Sequence, residues 1–138
     1  MGIRQQELQN LKMEKPFLFK ERLKSFTYAF RGIKEAVRNE HNLRIHLISA
    51  VMAVFLGFIL KLNTIEWSLI LVCLALVIAA ELFNSALEHI VNLVSPGQHK
   101  LAGLAKDFAA AAVLVFSILS FLVGILVFGP KLYYFLIP

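Results

Sequence analysis

The residues with the most chemical potential are Glu81, Asn84 and Glu88, embedded in the apolar run Ala80-Glu81-Leu82-Phe83-Asn84-Ser85-Ala86-Leu87-Glu88. Steps of three and then four residues place all three side chains on one face of a helix, about 10 Å from first to last. Asn92 extends that face by one more turn. A carboxylate at membrane depth costs several kcal/mol unless it is paired, metal-bound or beside water. Helix–helix adhesion alone would be served by Ser or Asn at lower cost, so the stripe reads as functional. Two carboxylates with an amide between them can hold a divalent cation and position a proton acceptor. Glu40 and the pair Lys106-Asp107 stand at the ends of neighbouring apolar segments. A hard cation such as Mg²⁺, a lysine for phosphate charge and a general base are the parts of a phosphoryl-transfer site. Buried acids also line ion and proton paths, so a small non-catalytic conduit is the rival reading. A membrane-anchored partner-binding helix would leave the acids without a purpose.

These side chains need elements that can carry them, and composition says which. The chain has 138 residues, 59% hydrophobic and only 17% charged, with a mean hydropathy of +0.73. So short a chain cannot bury that much apolar surface in its own core. Disorder, coiled coil, collagen and a disulfide scaffold are excluded, and the single cysteine, Cys73, has no internal partner. The net charge of +5 is concentrated: residues 1–46 hold ten of the fourteen Lys/Arg and five of the nine acids. Basic residues beside apolar spans are a topogenic signal, whereas a nucleic-acid binder would need a soluble basic face. The expected class is a small all-α integral membrane protein with no nucleic-acid partner.

Residues 1–15 are polar and lack the apolar core of a signal peptide, so they read as a tail preceding a single membrane domain over 16–138. Phe19, Leu23, Phe26, Phe30, Ile33 and Val37 then recur at helical spacing, with Lys20, Arg22, Lys24, Arg31, Lys34 and Arg38 mostly off that stripe. The pattern predicts a basic amphipathic helix over 17–38, lying in the membrane interface. Three spans follow, at about 43–60, 65–94 and 101–128. Thr64 is the expected cap of the second, with Glu66 in its first turn and Trp67 at interface depth; Ser95-Pro96-Gly97 stops it. The third holds 21 charge-free residues, Phe108 to Phe128, and Gly129-Pro130 is expected to end it. The positive-inside rule puts the N-terminus and the Ser95–Lys106 segment in the cytoplasm, with Lys61, Glu66 and Lys131 outside.

Other patterns are weak. Gly124 and Gly129 have the separation of a P-loop, but Pro130-Lys131 stands where Lys-Ser/Thr is required. His41 and His46 lack zinc-hydrolase spacing.

At the chemical residues the chain resembles a known family. Asn39-Glu40, the Glu81–Glu88 block and Ala105-Lys106-Asp107 with Ala112-Val113-Leu114 are similar to the prokaryotic diacylglycerol kinases, which include the undecaprenol kinases. The likeness covers about residues 20–128. Lys24-Ser25-Phe26, Tyr28-Ala29, Gly32 and the run Asn39-Glu40-His41-Asn42-Leu43-Arg44 are closer to the undecaprenol-kinase branch. The resemblance implies ATP-dependent phosphorylation of a membrane lipid alcohol, undecaprenol ahead of diacylglycerol. Glu81 would be the general base, with Asn84 beside it. Glu40 and Glu88 would bind Mg²⁺ with the ATP phosphates. Tyr28, Gly97, His99, Lys106 and Asp107 would contact nucleotide. It also implies a homotrimer of three-span protomers with shared active sites, in a bacterial inner membrane. The family's arginine near the start of the surface helix aligns with Glu21, so Arg22 takes its place; Asn92 stands where an aspartate is common. For the lipid, Phe26 and Phe30 are the expected contacts, with simple interface anchoring as the alternative.

Overall fold

The computed structural model describes residues 19–137, and all of its regular structure is helical. The order is α1 (Phe19–Asn39), α2 (His41–Ile59), α3 (Thr64–Val94) and α4 (Lys100–Leu136). Residues 1–18, including the expected polar tail, lie outside the described residues, as does the side chain of Arg22. By packing, the chain divides between Lys34 and Glu35, within α1, into two units. In the first unit, Leu23, Phe26, Phe30 and Ile33 are exposed, and the Arg31 guanidinium lies 5.8 Å from the centre of the Tyr28 ring.

The second unit contains α2, α3 and α4, each long and apolar enough to cross a membrane. At 1.5 Å per residue they measure about 28, 46 and 55 Å, against a bilayer hydrocarbon core of about 30 Å. α3 packs on both neighbours, and far more extensively on α4 than on α2. Few apolar side chains are buried among the described residues, while Phe55, Ile65, Phe83 and Leu126 point outward. In lipid, such outward apolar surface is the stable arrangement, because hydrocarbon replaces water around it.

The α2–α3 turn is built for tightness. Leu62 N–H donates to Gly57 O (3.1 Å) and Lys61 N–H to Phe58 O (3.3 Å). This is a Schellman closure, with Lys61 in the left-handed position (φ +52°) that usually favours glycine. Leu62, with Leu60, Ile70 and Val127, then forms the packed core at this end, backed by Leu56, Trp67, Phe128 and Leu132. Gly57 admits the Trp67 indole: a Cβ there would sit 2.8 Å from Trp67 Cη2.

Two local expectations are corrected. The cap of α3 is Asn63, not Thr64. The Asn63 carboxamide accepts from Glu66 N–H (3.0 Å), and the Glu66 carboxylate accepts from Asn63 N–H (2.7 Å). Only Asn63 stands three residues before Glu66, so only it can close this reciprocal box. The same carboxylate pairs with Lys131 (3.0 Å), whose ammonium also donates to Lys61 O (3.4 Å). Nor does Gly129-Pro130 end the last helix, which runs through Pro130 to Leu136. Proline removes one backbone donor, and its ring crowds both the residue before it and the carbonyl four residues back; Gly129, with no Cβ, eases the first of these, and the helix runs on with one bond lost.

Candidate functional site

The polar stripe of α3 lies in the half of the helix away from this core. Glu81 is 2% exposed, and Asn84 (7%) and Ser85 (6%) are buried beside it. Helical periodicity alone aligns them; their burial comes from α2 and α4 closing over that face. Asn84 Nδ2 donates to Glu88 Oε1 at 3.4 Å, and Ser85 Oγ donates back to Glu81 O at 3.0 Å. Among the described residues, Asn84 Oδ1 is buried with no hydrogen-bond partner. A buried acceptor left unpaired costs about 1–3 kcal/mol, so this one marks a place where a donor belongs.

That acceptor opens on a small cavity of about 250 Å³, lined by Asn42, His46, Glu81, Asn84 and Ser117 among others. Ser117 Oγ is likewise buried and unpartnered. His46, Glu40 and Glu88 are the ionisable neighbours of Glu81. Sequence reading missed Asn42, His46 and Ser117 as members of this site. A weak signal existed: Asn42 and His46 are four residues apart and so share one face of α2.

Glu40 is the one residue between α1 and α2 that leaves helical geometry (φ −92°, ψ 115°), and its half-buried side chain makes no capping hydrogen bond. Its carboxylate is therefore not consumed by the helix start. Among the described residues no three His, Cys, Asp or Glu side chains converge tightly enough to cage a metal ion.

A second cavity, of about 550 Å³, lies around the α3–α4 connection and brings together Gly97, His99 and Lys106, with Ser95 and Gly103. His99 occupies the cap position of α4 without a side-chain hydrogen bond to it. Lys106 Nζ donates to Asn92 Oδ1 at 2.6 Å, bridging the end of α3 to the start of α4. Because Asn92 is neutral, this contact orients the lysine without cancelling its charge. Asp107, next to it, is exposed and outside that cavity. Tyr28, Phe26 and Phe30 are exposed on the first unit.

A buried acid–amide stripe on one of three apolar helices defines the class: a multi-pass membrane protein with a polar site inside its helix bundle. The comparisons carry this further. The family model for prokaryotic diacylglycerol kinase matches residues 27–128. The undecaprenol kinase of Bacillus subtilis (strain 168) is 43% identical over 109 residues, 79% of this chain and 89% of that protein. The diacylglycerol kinase of Synechocystis is 39% identical over 103 residues, covering 74% of this chain and 59% of that one. The diacylglycerol kinase of Escherichia coli (strain K12) is 32% identical over 93 residues, 67% of this chain and 76% of its own. The chain belongs to the prokaryotic diacylglycerol kinase family, a family of membrane lipid kinases.

Proposed function

We propose that this protein transfers the γ-phosphoryl group of ATP to the hydroxyl of a membrane lipid alcohol, undecaprenol in preference to diacylglycerol. The observation that carries the reading is Glu81, almost fully buried on a membrane-spanning helix and facing a cavity beside the unpartnered Asn84 Oδ1. The lipid hydroxyl oxygen attacks the γ-phosphorus, its proton passes to Glu81, and the bond to the β–γ bridging oxygen breaks to release ADP. Asn84 orients the incoming hydroxyl or the phosphoryl oxygens beside the base. Lys106, held by Asn92 yet uncancelled in charge, attracts the phosphates. Gly97 and His99, which share its cavity, contact nucleotide with Asp107, and Tyr28 is assigned the same role.

Mg²⁺ is the expected cofactor. A Mg²⁺ ion that keeps phosphate oxygens as ligands needs only one or two protein carboxylates, and Glu88 and Glu40 offer them without a dedicated cage. When bound, the ion neutralises charge on the transferring phosphates.

Depth supports this division of labour. If Lys61, Glu66 and Lys131 mark one interface, a core of about 30 Å, or about 20 residues of helix, places the other near residues 41, 86 and 111. Glu40, Glu88 and Lys106 then stand at the aqueous boundary, where ATP is, and Glu81 lies about a turn and a half inside it, where a lipid hydroxyl is. The basic N-terminal residues put that boundary on the cytoplasmic face of a bacterial inner membrane, with α1 as an amphipathic helix in the interface. Arg22 and the aromatic pair Phe26 and Phe30 are assigned to the lipid. The outward apolar faces and the open polar site are suited to a homotrimer whose copies complete one another's sites.

The test is ATP consumption by purified protein in lipid nanodiscs, with undecaprenol, shorter polyprenols, diacylglycerol and ceramide as acceptors. Mg²⁺-dependent phosphorylation of undecaprenol above the others is expected. Absence of turnover with every alcohol would overturn the reading and return the stripe to the conduit alternative.

A further inference from the structure

The polar face of α3 alternates acid and amide twice, as Glu81, Asn84, Glu88 and Asn92. Each amide meets a charged side chain. Asn84 Nδ2 donates to Glu88 Oε1 at 3.4 Å, and Asn92 Oδ1 accepts from Lys106 Nζ at 2.6 Å. The second contact runs from the last turn of α3 to the second turn of α4, across the connection that holds Pro96 and Gly97. An ammonium has three N–H donors, so two remain for the cavity that Lys106 shares with His99 and Lys100. Among the described residues, no acid lines that cavity.

The ion pair that does not form is as informative as the contact that does. Glu88 stands one turn before Asn92 on the same face, and side chains four apart on a helix have Cβ atoms about 5–6 Å from each other. A lysine stem spans that distance with a change of rotamer. Yet the one ion pair among the described residues is Lys131–Glu66, at the opposite end of the bundle. A Lys106–Glu88 pair would disable two parts of the site together, because the lysine's charge would be cancelled and the carboxylate occupied. A hydrogen bond from an ammonium to a neutral oxygen is charge-assisted. Asn92 therefore gives Lys106 a partner that holds it and does not neutralise it.

We infer that Asn92 is a positioning residue for the nucleotide, which keeps Lys106 off Glu88 and so leaves the lysine's charge and the acid's oxygens open for separate use. The inference rests on the lipid-alcohol kinase reading and adds to it the residue that stops two parts of the site from inactivating each other. Asn92 acts through Lys106 and takes neither proton nor phosphoryl group. A unit charge added about 6 Å from a bound phosphate is worth about threefold in affinity even at the dielectric of water.

The experiment measures ATP binding to the full chain in nanodiscs in EDTA, by displacement of a fluorescent ATP analogue, beside unfolding temperature and lipid phosphorylation. Asn92→Ala should weaken ATP binding at least threefold. Glu88→Gln should improve ATP binding more in that background than in the wild type, because only there does the acid hold Lys106. Asn92→Asp should weaken ATP binding to a similar degree while leaving the unfolding temperature unchanged or raised, since the brace becomes an ion pair. Added salt should narrow its difference from the wild type, and KM for the lipid should stay at the wild-type value in both variants. If both Asn92 variants keep wild-type ATP affinity, the assignment of Asn92 falls while the kinase reading stands. If they weaken binding but Glu88→Gln acts equally in both backgrounds, Lys106 does not turn to Glu88 and the inference is wrong. If the wild type neither binds ATP nor phosphorylates any alcohol, the kinase reading falls and takes this inference with it.

Discussion

Replacing Glu81 by Gln is the sharpest perturbation, because it changes charge and almost nothing else. The side chain is 2% exposed, and Gln matches its volume, so no cavity and no overpacking follow. Two effects separate. On stability, the substitution removes a charge held away from water, so thermal unfolding in detergent should be unchanged or shifted upward. On turnover, a positioned general base contributes about 10²–10⁴ in rate, which is about 2.7–5.5 kcal/mol of barrier at 1.36 kcal/mol per decade. Glu81→Asp keeps the base but draws it back by one methylene, so its loss should be smaller than that of Gln. The assay is ATP consumption with saturating undecaprenol, alongside size-exclusion and thermal unfolding of each variant. Retention of more than about a tenth of the wild-type rate by a folded Glu81→Gln protein would refute the assignment of Glu81 as base.

Four further outcomes are expected. Glu88→Gln and Glu40→Gln should raise the Mg²⁺ concentration for half-maximal activity while leaving KM for the lipid near wild type; an unshifted Mg²⁺ titration in both would count against them as ligands. Gly57→Val should lower the unfolding temperature, by an overpacking cost of about 1–3 kcal/mol, because even its Cβ lies 2.8 Å from the rigid Trp67 ring. Lys61→Gly should stabilise the protein by up to about 1 kcal/mol, since φ +52° is free for glycine and strained for lysine; a lower unfolding temperature would contradict the Schellman reading. Phe26→Ala and Phe30→Ala should raise KM for undecaprenol with KM for ATP nearly unchanged, whereas unaltered lipid kinetics would reduce both to interface anchors.

Much of the site was legible because helix geometry is local. Glu81, Asn84 and Glu88 had to share a face whatever packed against them, since positions three and four apart always do. Apolar composition and the length of the uncharged runs required three helices able to span a membrane. The charges at Glu40, Lys106 and Asp107 fell at the ends of those helices because lipid tolerates them nowhere deeper without a partner. The Asn63 box was also written in the sequence, in the spacing to Glu66, although Thr64 is an equally good cap by type alone.

What only the tertiary structure decided was which helices meet at which depth. The register of α2 against α3 goes with the Lys61 turn and the fit of Trp67 over Gly57, and α4 is tied to the same end by Lys131 on Glu66 and on Lys61 O, all far from the acids of the site. That register brings His46 and Asn42 from α2, and Ser117 from α4, to the same cavity as Glu81. It sets Lys106 on Asn92, fourteen residues away. It also leaves α2 and α4 apart, opening a groove that no single helix pattern contains. Pro130 shows the same division: its cost to a helix is a local property, but the helix runs on to Leu136, with Leu132 packed against the core beyond the proline. Periodicity reports the face a side chain occupies, and only the packing of one helix on another determines what that face meets.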